Sequence, residues 1–185
     1  MKNNKGFTLV EVVVAVVIIS ILAIVATVSV FSSLKTSKEK SYEIMVDNIK
    51  TASISLYEEV YANELLGSSG YDLCRYGASG RILDENGLCR KIEIVDNSIS
   101  VNLQTLVSNG FLNGSNNDKC NVGMSGCNFK LIKNPKVDGN PDIGSCEITI
   151  KKFVSNNVVS YEISSDNEIE KDGENICPTS DDYKE

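Results

Sequence analysis

The sequence predicts an α+β fold in which one long amino-terminal helix packs on a carboxy-terminal antiparallel β-sheet. Three observations carry this. Val12 to Leu34 are 23 consecutive positions with neither charge nor proline, enough for a bilayer span of about 20 residues. From Tyr42 the apolar residues recur at Met45, Val46, Ile49, Ala52, Leu56, Tyr57 and Val60, mostly in steps of three or four, which marks a helix with one dry face. In "CEITIKKFVSNNVVSYEIS" alternating apolar positions flank Ser155-Asn156-Asn157, the pattern of a hairpin.

The first element raises a chemical question. "KGFTLVEVVVAVVIIS", residues 5–20, is almost wholly apolar, yet it holds Glu11. A carboxylate at the bilayer centre costs roughly 2.5–3.5 kcal/mol on insertion scales. A secretory signal peptide would have a shorter apolar core and a small-residue cleavage site after it; this run is too long and carries a charge. A plain single-pass anchor fits the length and leaves Glu11 unexplained. Processing ahead of the run, between Gly6 and Phe7, keeps the anchor and creates a new α-amine four residues from Glu11.

Gly6, Phe7, Thr8, Leu9, Val10 and Glu11, followed by the uncharged run, resemble the signal of the type IV pilin and pseudopilin family. The resemblance implies a leader of residues 1–6, cut by a membrane peptidase after Gly6, and N-methylation of Phe7. It also implies that Glu11 pairs with the Phe7 amine of the neighbouring subunit in a growing fibre. Such a pair offsets the desolvation of both charges and fixes axial register, as one buried polar group does in a coiled coil. An intrachain pair of Glu11 with Phe7 is geometrically open as well. One departure is that no proline precedes Pro135. A continuous helix is therefore expected, and assignment as a major, motility-type pilin loses support.

The implied organisation is a leader at 1–6, a transmembrane and filament-core helix at 7–34, the amphipathic half of that helix at 35–66, and an extracellular head at 67–185. Val, Ile, Leu and Ala surround the anchor on every face, and in lipid the backbone must bond internally. Gly67-Ser68-Ser69-Gly70 ends the helix. A glycine-rich connection at 67–90 follows, and "KIEIVD" alternates as a strand. "SVNLQTLVSNGFLNG" reads as a short helix with Leu103, Leu106, Val107 and Phe111 inward. "NFKLIK" is a further strand candidate, and the tail "SDDYKE" reads as frayed.

All six cysteines, Cys74, Cys89, Cys120, Cys127, Cys146 and Cys177, lie after the apolar run. That placement favours three disulfides in an oxidising space outside the cell. The chain has no histidine and no C-x-x-C pair, so the common zinc spacings are missing. Six cysteines allow fifteen arrangements. Proximity favours Cys74–Cys89 and Cys120–Cys127, which leaves Cys146–Cys177 to tie the chain end to the sheet; family members commonly staple the carboxy-terminal region in this way.

Other chemistry finds little footing. Without histidine there is no Ser-His-Asp or Cys-His arrangement, and "GASG" and "GSSG" lack the lysine of a phosphate loop. No cofactor is expected, and the chain reads as a structural protein, not an enzyme. From Lys35 onward it carries 16 Lys/Arg and 24 Asp/Glu, a formal charge of 16 − 24 = −8, which argues against nucleic acid binding on the head. "DNEIEKDGEN" places Glu168, Glu170 and Asp172 at alternate positions before Gly173, a calcium candidate. Counted from Glu168, however, the twelfth place holds Thr179 where the loop needs glutamate, so a polar turn leading to Cys177 reads better.

The sequence thus points to a structural subunit of a type IV pilus, major or minor, serving adhesion, surface motility or DNA uptake. Before assembly it would be a single-pass protein of the inner or cytoplasmic membrane; afterwards it would lie in an extracellular filament. The alternatives are a pseudopilin of a type II secretion or competence system and, from another class, a membrane-tethered extracellular binding module. Partners implied by the family are other pilin subunits, the prepilin peptidase, an assembly platform with a motor ATPase, and membrane lipid.

Overall fold

The computed structural model describes residues 8–66, 73–77, 80–114, 131–165 and 168–184, with the side chains of 25–29 outside that set. Helix α1 spans Leu9–Leu66, 58 residues without interruption, as expected where no proline intervenes. Then come β1 (Tyr76–Gly77), β2 (Gly80–Arg81), β3 (Ser98–Asn102), α2 (Leu103–Ser108), β4 (Glu147–Ser155), β5 (Val158–Ser164), β6 (Glu170–Lys171), β7 (Glu174–Asn175) and a 3-10 turn, Ser180–Tyr183. The class is α+β, a long helix followed by antiparallel sheet with disulfides. The chain divides into two compact units, Met1–Lys40 and Ser41–Glu185.

In the unit Ser41–Glu185, the periodic face of α1 supplies buried Tyr42, Val46, Ile49, Ala52, Leu56, Tyr57 and Val60. The main sheet has order β3-β4-β5, all antiparallel. Its strand period of two turns Ile99, Val101, Ile148, Ile150 and Ile163 into the same core. The register pairs Ile99 with Ile150, Val101 with Ile148 and Ile150 with Ile163. Asn156 and Asn157 take φ of 50° and 63° between β4 and β5, the double left-handed step that a two-residue hairpin loop demands and asparagine tolerates.

The order around β3 differs from the sequence expectation. "KIEIVD" forms isolated bridges, Cys74 with Lys91 and Val95 with Ser98, not a strand. Asp96 and Asn97 have φ of 51° and 58°, so the chain turns tightly there and the next segment becomes β3. The Ile94 amide donates to Glu64 Oε1 at 3.1 Å, so a helix side chain takes a place that a ladder partner would fill. The helix expected from Ser100 begins only at Leu103. Asn102 ends β3 and caps α2, its Oδ1 accepting from the Thr105 amide at 3.1 Å. Of "NFKLIK", residues 128–130 lie outside the described residues and Lys133 bridges Asp142 without a strand.

The tail is not frayed. Asp182 Oδ2 accepts from the Thr179 amide at 2.7 Å and its hydroxyl at 2.8 Å, closing a capping box. Ser180 Oγ accepts from the Ser165 amide at 3.0 Å, and Tyr183 is buried at 5% exposure. Cys74 bonds Cys89 across 15 residues, a pair that proximity favours, and Cys146 bonds Cys177 across 31, the pair left to tie the chain end to the sheet. Cys120 and Cys127 lie outside the described residues.

Candidate assembly site

The amino-terminal end of α1 carries Glu11 in its first turn and then a sleeve of apolar side chains. Glu11 Oε2 accepts from both the amide and the hydroxyl of Thr8, each at 2.9 Å. The Glu11 amide donates back to Thr8 Oγ1 at 3.3 Å. This is a capping box: two amide donors that a helix start leaves orphaned are satisfied reciprocally. The sequence reading gave Thr8 no such role, although T-x-x-E ahead of an apolar run is its written signature. The leader junction, Gly6 and Phe7, lies outside the described residues, and with it the proposed partner of Glu11.

Beyond the box, twelve apolar side chains from Leu9 to Ile24 are between 51 and 81% exposed. They lie on every face of the helix, which a chain in water does not leave bare. Ser20, in their midst, donates its hydroxyl to the Val16 carbonyl at 2.8 Å, so this polar group is bonded within the helix. Full burial of one Val, Leu or Ile side chain contributes about 1.5–3 kcal/mol. Covering twelve such side chains would therefore outweigh any single ion pair. Among the described residues no helix is long and apolar enough to cross a membrane. The 23-residue uncharged run of the sequence includes positions 25–29, whose side chains fall outside that set.

The carboxy-terminal unit fastens α1 to the sheet through one charged cluster. Lys152 Nζ on β4 lies 2.9 Å from Glu58 Oε1 on α1, and the Tyr161 hydroxyl donates to the same oxygen. The ammonium sits 4.1 Å from the Tyr61 ring centroid, with Tyr57 and Tyr161 at 5.8 and 5.9 Å, where ring quadrupoles attract a cation. The Tyr57 hydroxyl and the Lys152 amide both donate to the Asn97 carbonyl. No reading of the sequence found this cluster, since its members are about a hundred positions apart.

The calcium candidates are a hairpin. Glu170 lies in β6, Asp172 and Gly173 form the turn with φ of 54° and 82°, and β7 returns. Glu168, Glu170 and Asp172 are all exposed. Among the described residues no group of three acidic or cysteine side chains is placed to hold a metal ion.

The chain thus combines a long helix, opened by the Thr8–Glu11 capping box and bare of cover from Leu9 to Ile24, with a disulfide-bonded α+β unit. Residues 1–27 match the family described as the prokaryotic N-terminal methylation motif, the class-III signal of type IV pilins and pseudopilins. That signal implies membrane insertion, action of a prepilin peptidase and assembly with other pilin-type subunits. No curated protein and no solved structure matches the chain.

Proposed function

We propose that this chain is a structural subunit of a type IV pilus. In this reading the leader is cut between Gly6 and Phe7, the Phe7 amine is methylated, and the helix passes from lipid into the core of a fibre with heads outward. The observation that carries the reading is the match of residues 1–27 to the methylation motif. The bare apolar sleeve from Leu9 to Ile24 supports it, because such a surface requires either lipid or neighbouring helices around it.

Glu11 has two carboxylate oxygens with about four acceptor sites. Oε2 holds Thr8, and Oε1 would accept an ammonium. One carboxylate can thus cap its own helix and meet the Phe7 amine of a neighbouring subunit. The role is mechanical; a motor ATPase acting on the assembly platform would supply the work, and the chain itself needs no nucleotide and is not an enzyme. The head, larger than a minimal pseudopilin's, and its six cysteines favour a surface fibre over a secretion pseudopilin.

Mass spectrometry of the mature chain tests the first step. Phe7 at the amino-terminus, 14 Da heavier than unmodified, is expected; retention of Met1 to Gly6 in wild-type cells removes the reading. Immunolabelling of sheared fibres with antibody to the head tests the second. Label along fibres is expected, and its absence from all surface fibres would return the chain to the pseudopilin class.

A further inference from the structure

The chain contains three Asn-Gly steps, Asn86-Gly87, Asn109-Gly110 and Asn113-Gly114. We infer that Asn113 alone among them deamidates spontaneously in the folded protein, so that its neutral side chain becomes a carboxylate in the same surface pocket as Lys133.

The chemistry needs only water. The Gly114 amide nitrogen, having given its proton to hydroxide, attacks the side-chain carbonyl carbon of Asn113. A new C–N bond closes a succinimide ring, and the side-chain nitrogen leaves as ammonia with a proton from solvent. Water then adds to either ring carbonyl and breaks its C–N bond. The product is aspartate or, with the backbone rerouted through the side chain, isoaspartate. In sum one water is consumed and one ammonia released, with no change of oxidation state. Glycine matters in the following place because it has no Cβ to block the approach and rotates freely about φ and ψ.

The fold separates the three steps. The Gly87 amide donates to the Asp84 carbonyl at 3.0 Å, and Asp84 Oδ1 holds the Asn86 and Leu88 amides, each at 2.9 Å, so that turn is fixed. Asp84 and Glu85 line the same pocket as Asn86, and their charge disfavours a nitrogen anion beside them. The Gly110 amide donates to the Val107 carbonyl at 3.1 Å. The Asn109 side-chain amide donates to the Cys74 and Thr105 carbonyls at 2.8 and 2.9 Å. Attack at either place must first break these bonds. Asn113 is exposed, and neither its side chain nor the Gly114 amide has a hydrogen-bond partner among the described residues. Among those residues, Lys133 is the one charged side chain lining the pocket of about 220 Å³ that holds Asn113. A cation there favours the nitrogen anion and, afterwards, the product carboxylate. Aged chains thus differ from new ones by one charge, in a pocket that Ser41 and Asn48 of α1 also line. The inference concerns the unit Ser41–Glu185 and does not depend on how the chain assembles.

Peptide mass spectrometry of the full chain in detergent tests this. The folded chain is held in mildly alkaline buffer, sampled over days, and digested in acid so that handling adds no conversion. A parallel sample is held in guanidinium chloride, where no fold discriminates. In the folded chain the peptide bearing Asn113 should gain one mass unit about tenfold faster, or more, than those bearing Asn86 or Asn109. Its product should be mostly isoaspartate, the mark of the ring intermediate. In guanidinium chloride the three rates should converge. Gly114→Ala, whose Cβ hinders the attack, should slow conversion about threefold or more at an unchanged melting temperature. Equal rates at the three steps in the folded chain, an unchanged Asn113, a glycan on its nitrogen, or a wild-type rate in Gly114→Ala would each overturn the assignment.

Discussion

Glu11 and Thr8 close on each other at the head of α1: one carboxylate oxygen accepts from both the amide and the hydroxyl of Thr8 at 2.9 Å. A charge that looked misplaced in an apolar run is therefore bonded within its own chain before any partner arrives. The desolvation cost of carrying it into lipid would be reduced at both ends of the box, since the Thr8 amide would otherwise be an orphan donor.

The box and the register device are separable by mutation. Glu11→Ala should still lose its leader but should be absent from the sheared-fibre fraction on immunoblots. Thr8→Val, which removes the hydroxyl at constant shape, should weaken the first turn by about 1 kcal/mol and lower incorporation only in part. Thr8→Ser should restore it. Normal incorporation of Glu11→Ala would show that the carboxylate does not direct assembly.

Lys152 and Glu58 join β4 to α1 with three tyrosines around the ammonium. The lysine side chain is 14% exposed and the glutamate 47%, so solvent screens the ion pair while the rings remain close to the cation. Lys152→Met, which keeps the aliphatic stem, should lower head stability by about 1–2 kcal/mol from lost cation–π and ionic contacts. In a double-mutant cycle with Glu58→Gln, a coupling below about 1 kcal/mol is expected. Urea unfolding followed by tyrosine fluorescence reads both. A larger coupling would mean that the ion pair, not the rings, dominates.

The two disulfides among the described residues should differ modestly. Chain-entropy arguments give about 3 kcal/mol for closing 15 residues and somewhat under 4 for closing 31. Replacing Cys146 and Cys177 by serine should therefore destabilise the head by up to about 1 kcal/mol more than the same change at Cys74 and Cys89. Denaturation midpoints of the two double variants decide the order. The reverse order would assign Cys74–Cys89 a role in holding native contacts beyond loop closure.

How far the sequence was readable follows the range of each interaction. The continuity of α1 and its buried face were legible because helix period and the lack of proline are local properties. So was the β4–β5 hairpin, where two asparagines sit between alternating runs. β3 was missed because "SISVN" runs straight into "LQTLV" and Asn102 serves both as strand end and as cap. "KIEIVD" has strand alternation, but Glu64, thirty residues away, takes the Ile94 amide. At the assembly site Gly6, Phe7 and Glu11 stood out as a motif. The part played by Thr8 is also written there, as T-x-x-E, but its capping geometry shows only at the helix start. The Lys152 cluster and the buried tail depend on contacts between distant segments, which no periodicity encodes.

The carboxy-terminal hook makes the last prediction, and its sign can be derived. Burial opposes the charged form of Asp182, but hydrogen bonds from Thr179 and Tyr42 and the nearby Lys136 outweigh it and hold its carboxyl below the usual range. A depressed folded-state pKa contributes stability that is complete above the unfolded value, near 3.9 for aspartate, and is lost as pH falls through the folded value. Acid should therefore release the tail below about pH 4, and Asp182→Asn should flatten that part of the stability profile while lowering stability at neutral pH. Tyr183 provides the control. Burial pushes its phenol well above the ordinary range, and its hydroxyl is buried with no hydrogen-bond partner. Tyr183→Phe should accordingly be neutral or stabilising by up to about 1 kcal/mol, because it deletes an unsatisfied polar group. Tyr183→Ala should cost about 3–4 kcal/mol by leaving a cavity. If Tyr183→Phe destabilised the head as much as Tyr183→Ala, the hydroxyl and not the ring would be what anchors the chain end.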